Sequence, residues 1–466
     1  MKIAIWGTGK YFEKYMDYIP EKQVSCIIDS DIRKQDTYIR GKRILAPEQM
    51  DFREITHIFL LVKDSNPMIE WLNEKGIKDE MIVRAEEVER MFARSPLVNC
   101  KGKKYPLEQW ISGHASKKVF FLSHGMDRSG APMVLLRMAK LLKENYSVLL
   151  AGPGSGALEE ELEKEGVDYI SDVDMFYRSD IFYDQLKTFD LLVVNTVTMD
   201  KWVMDLSKLN KPIIWWLHES DDMYYKDFSA EGIDFDNVYC YAVGRRVQEK
   251  IQGYVDSVKI GILTYYLPEL SIVDKKDKMV KDKMVFAIIG VIDYRKAHDL
   301  LFGALDGMSD TVKNRVQIII AGAVPFDKKE WFEKKISDYP QVKYVGELSQ
   351  KEVQELYQQI DILLCPSRDD PMPVVVTQAM QNGIPCIVSD QVGQAEYIAH
   401  MQNGFVFGFE NVNELSAIME WCVTNSADLQ NIGTESEKIY NRYFSKRQAQ
   451  DRIQKLVEDC LPSKEV

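Results

Sequence analysis

Five short apolar runs between Lys118 and Val243, "KVFFLS", "YSVLLAG", "DLLVVNT", "PIIWWLH" and "VYCYAV", are separated by stretches whose apolar residues recur at helical spacing. Runs this short, rich in β-branched and aromatic residues and apolar throughout, suit strands buried on both faces. Such strands pair in parallel, since a helix must carry the chain back across the sheet before the next strand begins. The same alternation precedes them in "KIAIWGTG", "VSCIIDSD" and "HIFLLVK", and follows them in "MVFAIIG", "VQIIIAG", "VKYVG", "DILLCPS" and "PCIVSD". Three successive α/β units are therefore predicted, in keeping with a 466-residue chain that is too long for one core.

The predicted boundaries are a small Rossmann-like unit at 1–95, a connector at 96–117 where Pro, Gly and Lys interrupt the periodicity, and further units at 118–275 and 276–445. A final helix at 446–466 is expected to pack back on the second unit, because its apolar stripe needs a surface to cover. Between the second and third units "KDKMV" occurs twice in tandem, at Lys276 and Lys281, and reads as an expanded charged linker.

The net charge of −13 excludes a partner held mainly by phosphate neutralisation, so nucleic acid is not expected; an anionic small substrate needs only one or two cations in a cleft. Seven Cys without a C-x-x-C pair predict neither a disulfide framework nor a zinc site. The stretch "MKIAIWGTGK" starts a strand directly, without a signal peptide, and no apolar run approaches a membrane span. A cytoplasmic chain is expected, with any membrane contact peripheral and at the inner face.

The densest chemistry lies in "CPSRDDPMPVVVTQAMQNGIPCIV", Cys365 to Val388. It reads as a strand ending at Pro366, a loop, and a helix that starts at Pro373 and stops at Gly383. That loop sits at the carboxyl end of a parallel strand and the amino end of a helix, a place that favours anions. Pro371 and Pro373 lack amide donors, which leaves Met372 and Val374 to face a ligand. Asp370 would repel phosphate and is better aimed at sugar hydroxyls; Gln378, on the helix, reaches hydroxyls without charge. A second loop, in "IIGVIDYRKAHDLL", follows Gly290 with Arg295 and Lys296, cations suited to a leaving diphosphate.

From about Val119 onward, "SGAPMVLLRMAKLL", "IIWWLHES", "GVIDYRKAHDLL" and "VKYVGELSQKEVQELYQQIDILLCPSRDDPMPVVVTQAM" together resemble a retaining nucleotide-sugar glycosyltransferase of the two-lobed GT-B fold, in the large family numbered four. The resemblance implies an α/β chain with two Rossmann-like lobes in the GT-B arrangement, preceded here by the small Rossmann-like domain. It implies that Arg295 and Lys296 grip the donor diphosphate, that Gly130 lets the first-lobe backbone approach the sugar, and that His218 reaches the sugar across the cleft. Gly290 and Gly346, the latter within Val345 to Leu348 beside the nucleobase, belong to the donor site. Asp370 and Gln378 stand where the family has paired glutamates, the first holding the transferred sugar and the second the ribose. Gln for Glu discharges the ribose end; Val291 and Ala297 also depart from the usual phosphate loop, where Arg and Gly are common. No cofactor and no metal are implied: the cations take a metal's place, the UDP-, GDP- or dTDP-sugar is a substrate, and no metal-ligand cluster is visible.

In the first unit, "GTGKYF" has the glycines Gly7 and Gly9 of a dinucleotide turn but Phe12 where a third is expected, and Asp29 closes the next strand where a ribose-binding acid would lie. The unit resembles small Rossmann-like domains attached to sugar-modifying bacterial enzymes. The leading expectation is sugar transfer from a nucleotide diphosphate to a glycan, lipid-linked or protein acceptor, in bacterial surface polysaccharide or glycoconjugate synthesis. Its alternatives are a catalytically weak subunit supporting a partner glycosyltransferase, and an NAD(P)-dependent sugar-modifying enzyme using the first unit.

Overall fold

The computed structural model describes residues 1–16, 19–92, 95–172, 180–255, 258–268 and 283–461. The first copy of the tandem "KDKMV" repeat and the first two residues of the second, most of the loop "DVDMFYRSD" and the last five residues lie outside them; the second copy ends in the strand Met284–Ile289. Among the described residues the chain builds three sheets, as the three rounds of strand and helix predict.

The first sheet is centred on Ile3–Trp6, which pairs in parallel with Val24–Ile28 on one side and His57–Leu60 on the other. Successive side chains of a strand point to opposite faces. Accordingly Ile3 and Ile5 join one apolar cluster with Phe12 and Phe59, while Ala4 and Trp6 join another with Ile58 and Leu72. Both faces are covered, which is why these strands carry no polar side.

The second sheet has nine strands, five of them the apolar runs from Lys118 to Val243, with Lys118–Leu122 next to both Ser147–Gly152 and Leu191–Asn195. The expected connector is a correction: within 96–117, two strands join this sheet and a helix follows them. Leu97–Cys100 and Lys103–Pro106 form an antiparallel hairpin whose first strand pairs with Asp168–Ser171, and the helix Leu107–Gly113 is sealed by Trp110 donating its indole N–H to Asp168 at 2.8 Å. The turn is Lys101-Gly102, both with positive φ (48° and 75°), the left-handed pair a two-residue hairpin requires.

The third sheet is parallel throughout, in the order Val342–Tyr344, Val316–Ala321, Met284–Ile289, Ile362–Cys365, Cys386–Ser389, Phe405–Phe407. The helices Leu429–Tyr443 and Lys446–Cys460 then return the chain to the second domain. Leu267 donates to the carbonyl of Phe444 (3.1 Å), Arg452 donates to Thr264 (3.3 Å), and Lys446 lies 3.8 Å from Glu144. Ala449, Ile453 and Val457 are buried in the apolar cluster that also holds the second sheet. That cluster continues through Tyr265 and Met372 into Val376 and Met380, so the two larger domains share one core.

Where the third sheet ends, Gly290, Gly322 and Gly346 terminate three neighbouring strands with φ of 156°, 145° and 79°. A Cβ on Gly322 would lie 1.9 Å from the Gly290 carbonyl oxygen, whereas one on Gly346 would meet nothing within 4 Å. Gly322→Ala is therefore expected to destabilise the third domain by about 2–3 kcal/mol, and Gly346→Ala by about 1 kcal/mol or less, through backbone conformation alone. Thermal melting checks this: equal shifts for the two variants would contradict it.

Candidate active site at the junction of two lobes

The carboxyl ends of the second and third sheets meet, and a cavity of about 140 Å³ lies between them. Gly130 and His218 line it from the second domain; Asp370, Met372 and Val374 line it from the third, with Tyr265 between. A larger cavity, about 530 Å³, opens beside Asn210, Asp236 and Glu458, at the amino ends of second-sheet strands. Parallel sheets bind ligands at their carboxyl edge, so the smaller cavity carries the site.

On the third domain the helix Val374–Gln381 begins one residue after Pro373, close to the predicted start. Ahead of it, Asp370 is only 6% exposed and is joined to Lys296 Nζ by a short ion pair, while Arg295 lies 3.6 Å from its other oxygen. Burial pulls the Lys296 pKa down and the facing Asp370 carboxylate more than reverses this, leaving it raised, so the ammonium stays charged. The expectation that Asp370 faces hydroxyls while the cations face a diphosphate meets a tighter arrangement. A buried ammonium requires a counter-charge, and Asp370 supplies it. Gly290 stands against this pair, since a Cβ there would sit 3.3 Å from Lys296 Cε. Ala297 has φ 56° and ψ 43°, a left-handed conformation that explains why glycine suits this position.

Gln378 is on the same helix but does not line the cavity; its Oε1 accepts from the buried Tyr357 hydroxyl at 3.3 Å. Gly346 lies two strands from Gly290, its carbonyl accepting from Gly322 at 2.8 Å. The structure thus gathers Gly130, His218, Asp370, Met372 and Val374 around one space, with Lys296, Arg295 and Gly290 behind Asp370. Gly7, Gly9 and Asp29 stand in the first domain. There Asp29 accepts from Thr8 N (2.9 Å), the Thr8 hydroxyl, Asp31 N (2.9 Å) and Lys34 Nζ (3.2 Å). Burial opposes ionisation of Asp29, and these hydrogen bonds outweigh it to leave the pKa lowered. Its oxygens hold the glycine turn in place, a role internal to the domain.

Several site residues escaped the sequence reading. Asp369 accepts from Ser220 Oγ (2.7 and 2.9 Å) and pairs with Arg246 (2.9 Å), both from the second domain. Glu219 accepts from Val197 N (2.9 Å) and His218 N (3.2 Å) at the end of the strand Ile213–Leu217. Nearby Thr196, β-branched yet at φ 72°, is held by hydrogen bonds with the backbone of Trp216 and the indole of Trp215, both 2.8 Å. Gly322 did carry a signal, ending "VQIIIAG" as Gly290 ends "FAIIG"; Asp369 carried none, because its partners lie far off in sequence. Among the described residues no three His, Cys, Asp or Glu side chains form a candidate metal cluster, and no helix is long and apolar enough to cross a membrane.

His218 has its Nε2 buried without a hydrogen-bond partner among the described residues. Burial, and the neighbouring His124, push its pKa down to about 3, so the ring is neutral at pH 7 and offers hydrogen bonds only. Burial pushes Glu219 up to about 7, against hydrogen bonds from the backbone of Val197, His218 and Glu219 itself. The signs oppose. Between about pH 3 and 6.5 the unfolded chain binds a proton that folded His218 refuses, so that contribution to stability rises with pH. Between 4.5 and about 7 folded Glu219 keeps a proton that the unfolded chain releases, so that contribution falls. Glu219→Gln removes the second effect alone. Its melting temperature should climb more steeply from pH 4.5 to 6.5 than that of the unaltered chain; parallel curves would refute the assignment.

Comparison with known proteins accords with this geometry. Residues 272–439 match the family model for "Glycosyl transferases group 1", residues 115–239 that for "Glycosyl-transferase family 4", and residues 1–83 that for "C2185-like, N-terminal". An uncharacterised 41.2 kDa protein in the cps region of Klebsiella pneumoniae is 28% identical over 145 residues, 31% of this chain and 38% of that one. An uncharacterised glycosyltransferase of Methanocaldococcus jannaschii is 25% identical over 126 residues, 26% of this chain and 31% of its own. This chain therefore spans well under half the length of these curated relatives. Among solved structures, HepE of Anabaena in complex with UDP and glucose has a TM-score of 0.63 at 17% identity, covering 74% of this chain and 100% of that one. A glycosyltransferase of Rickettsia africae has 0.61 at 14%, covering 74% and 99%. At such identities the likeness is one of fold. With one glycosyltransferase model laid over each of the two larger domains and whole glycosyltransferases matching how those domains are arranged, the chain carries group 1 and family 4 glycosyltransferase domains in the GT-B fold.

Proposed function

We propose that the chain moves a sugar from a nucleotide-diphosphate donor to a hydroxyl of a glycan, lipid-linked or protein acceptor, with retention at the anomeric carbon. The observation that carries this reading is the pair Lys296 and Arg295 at the carboxyl edge of the third sheet, held against Asp370, which lines the same cavity as His218. Two cations held by the fold stabilise a leaving diphosphate without reorganising as charge develops. Asp370, freed in part from Lys296 when phosphate oxygens take over the ammonium, becomes an acceptor for hydroxyls of the transferred sugar. Neutral His218 approaches that sugar from the other lobe and orients it by hydrogen bonding. The acceptor hydroxyl attacks from the leaving-group face, and the departing phosphate takes its proton.

The Anabaena structure, which holds UDP and glucose, supports a nucleotide-sugar donor. The Klebsiella relative, encoded in a cps region, supports a place in bacterial surface polysaccharide or glycoconjugate synthesis. A second reading, a catalytically weak subunit assisting another glycosyltransferase, draws on Gln378: an uncharged side chain turned to Tyr357 offers ribose less than a carboxylate would.

A thermal-shift screen of UDP-, GDP- and dTDP-sugars identifies the donor, since a ligand bound by the folded chain raises its melting temperature. With that donor, Lys296→Ala and Arg295→Ala should each lower turnover by about tenfold or more, as befits groups acting on the leaving diphosphate. Gln378→Glu should preserve or raise it. Full turnover in both cation variants removes them from the mechanism; a folded chain that neither transfers sugar nor hydrolyses any donor favours the second reading.

A further inference from the structure

Asp369 and Asp370 are adjacent in sequence and face different lobes. Asp370 takes the two donor-lobe cations, whereas the Asp369 carboxylate accepts from Ser220 and pairs with Arg246, both on the opposite lobe. Ser220 follows the strand that ends at Leu217, and Arg246 is in the first turn of the helix Arg245–Gln252. The backbone of Asp369 engages the donor lobe instead, its carbonyl accepting from Arg295 at 3.1 Å. The neighbouring amide of Arg368 donates to the Arg295 carbonyl at 2.7 Å. One residue therefore joins the second domain, through its side chain, to a phosphate-gripping cation, through its main chain.

The loop has little freedom to absorb a change at either end. A Cβ on Gly244, in the second domain, would lie 2.6 Å from Met372 Cε, and one on Gly393 would lie 1.7 Å from the Pro371 carbonyl oxygen. Asp370 is further tied by its own carbonyl, which accepts from Gly393 at 2.9 Å. The space of about 140 Å³ falls below the roughly 300–1,000 Å³ of ordinary small-molecule pockets, so admitting a nucleotide sugar would require the lobes to part.

We propose that Ser220 and Arg246 are positioning residues: by clasping Asp369 when the lobes close, they set the loop that carries Asp370, and through its backbone contacts the separate loop that carries Arg295, into working place. The phosphate grip is then complete only with both lobes together, and the clasp opens and re-forms in each cycle. In its kinetic arm this inference rests on the sugar-transfer reading above; its structural arm does not.

The test uses the full chain with Asp369→Asn, which keeps shape and one acceptor oxygen, with Arg246→Met, and with the two combined. Steady-state transfer from the donor found by thermal shift should show kcat lowered by about tenfold in each single variant, with the donor KM changed by less than about twofold. The double variant should be no slower than the slower single one, since both cut the same link. Ser220→Ala should lower kcat by about threefold and Ser220→Thr, which keeps the hydroxyl, should restore it. A purely structural role would not separate kcat from KM in this way. Unchanged or faster turnover in Asp369→Asn and Arg246→Met, or losses that multiply in the double variant, would overturn the proposal. Small-angle X-ray scattering reads the clasp without any turnover: both variants should have a larger radius of gyration than the unaltered chain. If the unaltered chain transfers no sugar, the functional reading fails while scattering still judges the clasp, and an unchanged radius rejects it.

Discussion

A lysine ammonium, an arginine fork and an aspartate carboxylate meet at the end of a parallel sheet, and the organisation of the two larger domains follows from the need to house them. Lys296 is buried and charged, a state that costs several kcal/mol unless an opposite charge is close. Asp370 provides that charge, and its loop cannot drift without exposing or orphaning the pair. The loop is fixed in turn by the Gly393 amide, by the approach of Gly244, and by Asp369 reaching across to Arg246. A polar cluster of this kind adds little to stability against an apolar equivalent, but it makes the position of each member depend on the others.

The sheets explain where such a cluster can exist. In each domain, strands buried on both faces leave only their ends to carry polar chemistry. The carboxyl ends are where Gly290, Gly322 and Gly346 turn the backbone away without side chains. Facing two such edges toward one another produces a crevice whose walls are mostly apolar, with His218 and Asp370 as polar groups set into them. The two domains share a core through Tyr265 and Met372, and the returning helix Lys446–Cys460 ties the last part of the chain to the second domain. Hydrogen bonds from Arg452 to Thr264 and from Leu267 to Phe444 hold that crossing in register.

Much of this was legible in the sequence, in particular places. The strand-loop-helix from Ile362 to Gln381 could be read to within a residue or so, because Pro371, Pro373, Gly383 and Pro385 punctuate it. The grouping of His218, Gly130 and Asp370 around one space followed from resemblance, and the structure places all three on its wall. The hairpin at Leu97–Pro106 was not legible as part of the second sheet. Its strands are short and mix apolar with charged residues, the first pairs antiparallel with Asp168–Ser171, and a Lys-Gly turn is a weaker signal than Asn-Gly. Gln378 was read by position in a motif, and a side-chain rotation toward Tyr357 is invisible to spacing.

By itself the sequence determined the α/β alternation, the parallel pairing, the order of the domains and the loops that carry charge, since each follows from local hydrophobic period and turn chemistry. Only the tertiary structure decided which carboxylate serves which partner. Asp369 and Asp370 are chemically identical neighbours, and nothing within the chain nearby distinguishes them. The distinction arises because the backbone aims one at Lys296, 74 residues before it, and the other at Ser220, 149 residues before it, on another lobe. Electrostatic and hydrogen-bonding roles depend on distances of a few ångströms between groups far apart along the chain, and those distances come into being only when the lobes pack.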